Sequence, residues 1–151
     1  MNFILEIIII LITLVFNGLF AAYEMALASV SRARLHVLEG RKIKGAVEAV
    51  FMKNNMEASL AVLQLGITFL AAVAAATGGL SAADLLTPYL IDRLHISHSL
   101  ANVASLVVIV VPLSAVTIVF AELVPKIVAI NNRERVWLAL SPFMRGLFQA
   151  C

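Results

Sequence analysis

The sequence predicts an all-α integral membrane protein: three transmembrane helices plus interfacial juxtamembrane helices. Two observations predict it. Of 151 residues, 62% are hydrophobic and 13% charged, with mean hydropathy +1.02, whereas soluble domains run near half apolar and a quarter charged. The apolar residues also gather in three runs, each long enough for the roughly 20 residues that a helix needs to cross a bilayer. The single cysteine, Cys151, excludes an internal disulfide and a cysteine metal cluster. No HExxH, glycine-rich phosphate loop or Ser-x-x-Lys occurs, so enzymatic chemistry is not expected.

The first span covers about 3–28. It opens on Met1-Asn2-Phe3 without a basic segment and is too long for a signal peptide core, which predicts a retained anchor. The second covers about 59–80. The third, about 100–130, is longer than a crossing needs and contains Pro112 and Pro125, which predicts a tilt or kink.

Charge sets the orientation. The segment Ser31–Glu57 holds Arg32, Arg34, Arg41, Lys42, Lys44 and Lys53, six of the eleven basic residues. The segment Ser81–Ser99 holds only Arg93, beside Asp84 and Asp92, while Arg133, Arg135 and Arg145 follow the third span. Basic residues concentrate in cytoplasmic loops, so the N-terminus is expected outside and the C-terminus inside, in a plasma or inner membrane. Topology therefore accounts for the basic residues, and no nucleic-acid partner is expected.

Within the basic segment, Ile43, Val47 and Val50 share a face at helical spacing and predict a helix lying on the membrane. Residues 134–150 are apolar but too short to span, with Pro142 and Arg145 among them. Trp137, Phe143 and Phe148 suit the headgroup region, which predicts an interfacial helix; a fourth hydrophobic segment is the alternative.

The candidate functional residues are polar groups at membrane depth. An ionisable group there costs at least about 2.5 kcal/mol and marks a functional site by default. Asn17 and Glu24 lie seven apart, on one face of the first helix. Gln64 and Thr68, one turn apart, bring oxygen atoms into the second. Glu122 lies in the third. Pro125 cannot donate to the carbonyl four residues earlier, which leaves that of Ala121 available beside Glu122. Oxygen ligands suit hard cations. The competing reading pairs Glu122 with Lys126 one turn on. The run Ala71–Gly79 is rich in small residues and predicts close helix packing, within the bundle or across a dimer. His95 and His98 could share a helix face, but no third ligand lies at a metal spacing, and His36 is expected to be solvated.

These residues resemble a known family. Phe16-Asn17-Gly18-Leu19-Phe20-Ala21-Ala22-Tyr23-Glu24-Met25-Ala26-Leu27 and Ser29-Val30-Ser31-Arg32-Ala33-Arg34-Leu35 look like the first helix of the CorC/CNNM (cyclin M) transmembrane domain. Leu63-Gln64-Leu65-Gly66-Ile67-Thr68 is similar to its second helix, and Ala121-Glu122-Leu123-Val124-Pro125-Lys126 resembles its third-helix signature. The resemblance implies a homodimer that moves Mg²⁺ out of the cell, against Na⁺ entry. It also implies a metal site between the helices, at Asn17, Glu24, Gln64, Thr68 and Glu122. Ala121 stands where the family motif usually begins with glycine. Relatives normally continue into a nucleotide-binding CBS module, which 1–151 does not include, so the chain reads as either the isolated membrane domain or a truncated product. Some relatives are associated with polyamine export, which keeps that substrate open. The reading from another class is a non-transporting module that senses metal or anchors partners.

Overall fold

The computed structural model describes residues 3–31, 33–34, 37, 40, 43–95 and 97–150. Among them every element is helical: α1 Phe3–Ser29, α2 Ala46–Asn54, α3 Met56–Leu94, α4 His98–Ile118, a π-helical turn Val119–Leu123, α5 Val124–Asn131 and α6 Arg133–Ala150. Three stretches are long and apolar enough to cross a membrane: Ile4–Ser29, Met56–Gly79 and His98–Asn131. The chain is a multi-pass membrane protein.

The helices are longer than the apolar runs inside them. At about 1.5 Å per residue, α3 reaches roughly 58 Å, well beyond the ~30 Å hydrocarbon core. The expected outer connection of residues 81–99 is therefore helical as far as Leu94. Hydropathy ends where water begins, but the backbone continues because α4 packs beside it. Thr87 Oγ1 donates to Ser105 Oγ at 3.1 Å, and Ser105 passes its own proton to the Ala101 carbonyl at 2.7 Å. His95 and His98 do not share a helix: His95 caps α3 at φ 51° and His98 opens α4. Among the described residues, no group of three or more His, Cys, Asp or Glu could hold a metal. His36 lies outside the described residues.

Pro88, Pro112 and Pro142 all sit inside continuous helices. Pro125 acts differently, because the π-helical turn immediately precedes it and the Val124 N–H reaches back five residues to the Val119 carbonyl. A π turn accommodates one extra residue per turn and re-registers everything after it.

The tightest packing forms where α2 and α6 close on the C-terminal half of α1. Tyr23, Leu27, Met52, Leu63, Trp137 and Met144 are fully enclosed there. Trp137 is 0% exposed, so it serves this core and not a headgroup layer. Phe148 packs edge-on against Phe51, with ring centroids 5.6 Å apart, and only Phe143 stays exposed. In α2 the packed face is Ala46, Ala49, Met52 and Lys53. Val50 is half-buried, and Ile43 and Val47 point outward. Gly45 makes the approach possible: its φ of 83° favours glycine, and a side chain there would collide with the Leu138 carbonyl.

The buried hydroxyls and the buried lysine in this core have partners, whereas the Trp137 indole nitrogen has none. Ser141 Oγ donates to the Trp137 carbonyl at 2.6 Å, so the Tyr23 hydroxyl, 2.9 Å away, donates to Ser141. Lys53, counted with the basic segment in the sequence, is buried, and its Nζ donates to the Leu27 carbonyl at 2.6 Å. A cation is favourable at a helix C-terminus, where carbonyls lack partners. Outside this core, Arg34 Nε donates to Glu134 Oε1 at 2.8 Å. That hydrogen bond holds the Glu134 carboxyl below the usual carboxylate range and raises Arg34.

Candidate functional site

Between α1, α3 and α4 lies a cleft of about 310 Å³. Asn17 lines it from α1, Thr68 and the small residues Ala71, Ala74 and Ala75 from α3, and Ser114, Thr117 and Glu122 from α4 and the π turn. Part of the small-residue run packs inside one protomer, where a Cβ on Gly79 would touch Leu106 of α4 at 3.5 Å, while Ala72 and Ala76 are exposed. Alanine at 71, 74 and 75 keeps the α3 wall low.

Asn17 is 3% exposed, and its Oδ1 has no hydrogen-bond partner. A buried acceptor left without a donor costs about 1–3 kcal/mol, and this one lies at the wall of the cleft, where a donor or a cation could satisfy it. Thr68 and Thr117 each donate their hydroxyl proton to the carbonyl four residues earlier, both at 2.8 Å. Those oxygens can then only accept. Hydroxyl oxygens of Thr68 and Thr117 and the Glu122 carboxylate thus stand around the cleft, with the buried Asn17 oxygen at its wall, and oxygen is the ligand chemistry of hard cations. At about 30 Å³ per water, its volume accommodates an ion that keeps its first hydration shell.

Glu122 lines the cleft, while Glu24 lies outside it on the same face of α1 as Asn17. Lys126 joins them: its Nζ is 3.3 Å from Glu24 Oε2 and 3.5 Å from Glu122 Oε1. Ala121 is 2% exposed, and its carbonyl oxygen lies 3.9 Å from where a Cβ on Gly18 would stand. Pro125 Cγ would be 3.2 Å from that same Cβ. Glycine at 18 is what lets the π turn lie directly on α1 beside Asn17. Gln64 is exposed on α3 and does not line the cleft.

Sequence reasoning missed two contributors to the cleft and one buried carboxyl outside it. Ser114 stands eight residues before Glu122, a two-turn spacing on one face, and could have been found. Thr117 is five residues before Glu122, an offset that points elsewhere on a regular helix; the intervening π turn brings both to the cleft. Glu6 is also buried, at 5% exposure near the start of α1.

Residues 7–150 match the profile of the Cyclin M transmembrane N-terminal domain. The chain belongs to the CNNM family. This is a family of membrane domains associated with metal transport. Its relatives include the UPF0053 protein sll0260 of Synechocystis, 31% identical over 96% of this chain and 32% of that protein. The UPF0053 protein YrkA of Bacillus subtilis is 29% identical over 89% of this chain and 31% of its own length. The chain thus spans about a third of the length of these CNNM-type relatives.

Proposed function

We propose that the chain is the membrane domain of a divalent-cation exporter, with Mg²⁺ as the leading substrate and Na⁺ entry as the driving flux. One observation carries the reading: a buried, unpartnered Asn17 oxygen lies at the wall of a largely apolar cleft that also holds hydroxyls and a carboxylate at membrane depth. Anchoring a partner needs none of these groups. The cation would enter from the cytoplasmic side, in keeping with the basic Ser31–Glu57 segment, and leave outward. The working unit in this reading is a homodimer. Only 6% of the third span is buried within one chain, against 33% of the first.

The test is Mg²⁺ release from loaded proteoliposomes, with and without an inward Na⁺ gradient. Gradient-dependent release is expected, and release no faster than from protein-free vesicles would refute the reading. One observation favours a second substrate class, small polyamines: a primary alkylammonium, that of Lys126, already sits against both carboxylates. Spermidine-loaded vesicles in the same assay separate the two.

A further inference from the structure

The position of Lys126 has a consequence for how the site chooses its cargo, and it rests on the cation reading above. A lysine that merely neutralised Glu122 one turn away would be an ordinary helix pair. Here the ammonium instead bridges carboxylates from two helices, at 3.3 Å to Glu24 on α1 and 3.5 Å to Glu122 in the π turn. Two carboxylates share one ammonium. Any cation seated against the same oxygens meets a like charge within a few ångströms, which is strongly unfavourable away from bulk water.

We propose that Lys126 is a tethered counter-cation, which holds the carboxylate pair when no cargo is bound and must be displaced for cargo to bind there. A monovalent ion brings no more charge than the ammonium it replaces. It also competes against a group whose tether gives it a high effective concentration. A divalent ion brings one further charge. The lysine therefore sets a valence threshold, and its flexible four-carbon stem lets the displaced head swing away toward water. The return of the ammonium on release spares the empty site two uncompensated carboxylates.

Two measurements test this. In lipid nanodiscs, calorimetric titration with Mg²⁺ and with Na⁺ compares the wild-type chain with Lys126→Gln and Lys126→Arg. Removing a competitor that occupies the site nine-tenths of the time tightens apparent affinity about tenfold. Lys126→Gln should therefore bind Mg²⁺ about that much more tightly and acquire measurable Na⁺ binding, while Lys126→Arg keeps the wild-type discrimination. The second measurement needs no variant, so it decides the matter if Lys126→Gln does not fold. Mg²⁺ should accelerate modification of Lys126 by an amine-reactive reagent, read by mass spectrometry, and Na⁺ should not. Mg²⁺ release by the wild-type chain, with Lys126 labelling unmoved by Mg²⁺ or with Lys126→Gln affinity unchanged or weaker, overturns the lysine's role and leaves the exporter reading standing. No Mg²⁺ binding in any of the three proteins overturns both.

Discussion

Around Tyr23 and Leu27, α1 is enclosed by α2, α6 and the first turns of α3, and Tyr23, Ala26 and Leu27 are 0% exposed there. One to three turns earlier, around Asn17, the same helix faces a cleft walled by alanines and hydroxyls. In the first region Tyr23, Lys53, Ser59 and Ser141 all have hydrogen-bond partners, and the Trp137 indole nitrogen is the exception. In the second, the Asn17 oxygen is left without one. The difference separates two tasks along one helix. Large apolar side chains and satisfied polar groups hold the fold at one end, which frees the other to keep space and unsatisfied oxygens for a ligand.

The comparison breaks most visibly at Trp137. Trp137→Ala removes the largest fully buried side chain and should cost about 3–5 kcal/mol, read as a collapse of the thermal transition in detergent. An unchanged transition would mean that the sealed end does not carry stability. Next comes Glu122→Gln, the reverse case. Removing a carboxylate from the cleft should lower Mg²⁺ flux by at least about tenfold, since even groups that only support a metal ligand cost that much. The fold should persist because Glu24 still holds Lys126. A stable variant with wild-type flux would leave Glu24 as the remaining carboxylate candidate.

Asn17→Leu sharpens the contrast further, because it should raise stability while lowering activity. Deleting an unpartnered buried amide relieves about 1 kcal/mol, so the melting temperature should rise slightly as flux falls; a lower melting temperature would show that Asn17 is a structural residue. The smallest effect concerns Arg34 and Glu134, both exposed. The Glu134 carboxyl is held low chiefly by the hydrogen bond from Arg34. Its contribution to stability is therefore complete above the ordinary glutamate pKa and fades as pH falls through the lower folded value. The small gap in melting temperature between wild type and Glu134→Gln should be constant near neutrality, close on acidification and shrink in salt. A gap that widened in acid would contradict the pairing.

The three spans were legible because burial in lipid demands long apolar runs, and nothing else in a chain of this length supplies them. Asn17, Glu24 and Glu122 were legible for the converse reason, being costly where they stand. The route of Lys126 to Glu24 was not legible. Spacing reveals partners on the same helix, such as Glu122, whereas a partner on α1 depends on how α5 docks. Pro125 announced a lost hydrogen bond but not the π turn beside it, so nothing in regular helical spacing brought Thr117 together with Glu122. Trp137 misled because an amphipathic ring suits a headgroup layer and a core equally well. What decides between them is Gly45, which lets α2 approach the Leu138 carbonyl of α6.

Lys53 does more than cap a helix end. Its ammonium fastens α2 to the last turn of α1, and only Asn55 separates α2 from α3. The base of the first span and the base of the second are thereby buckled to one short rod. A push on α2 would tilt both together and leave the spacing between them unchanged. The third span is held differently, by the Thr87–Ser105 hydrogen bond to α3 and by the Lys126–Glu24 ion pair to α1. In mechanical terms the molecule is a two-legged frame with a third leg clipped to it at two points. The cleft, walled by the frame on one side and by that leg on the other, lies along the leg between the two clips, and opening either clip would let its width change.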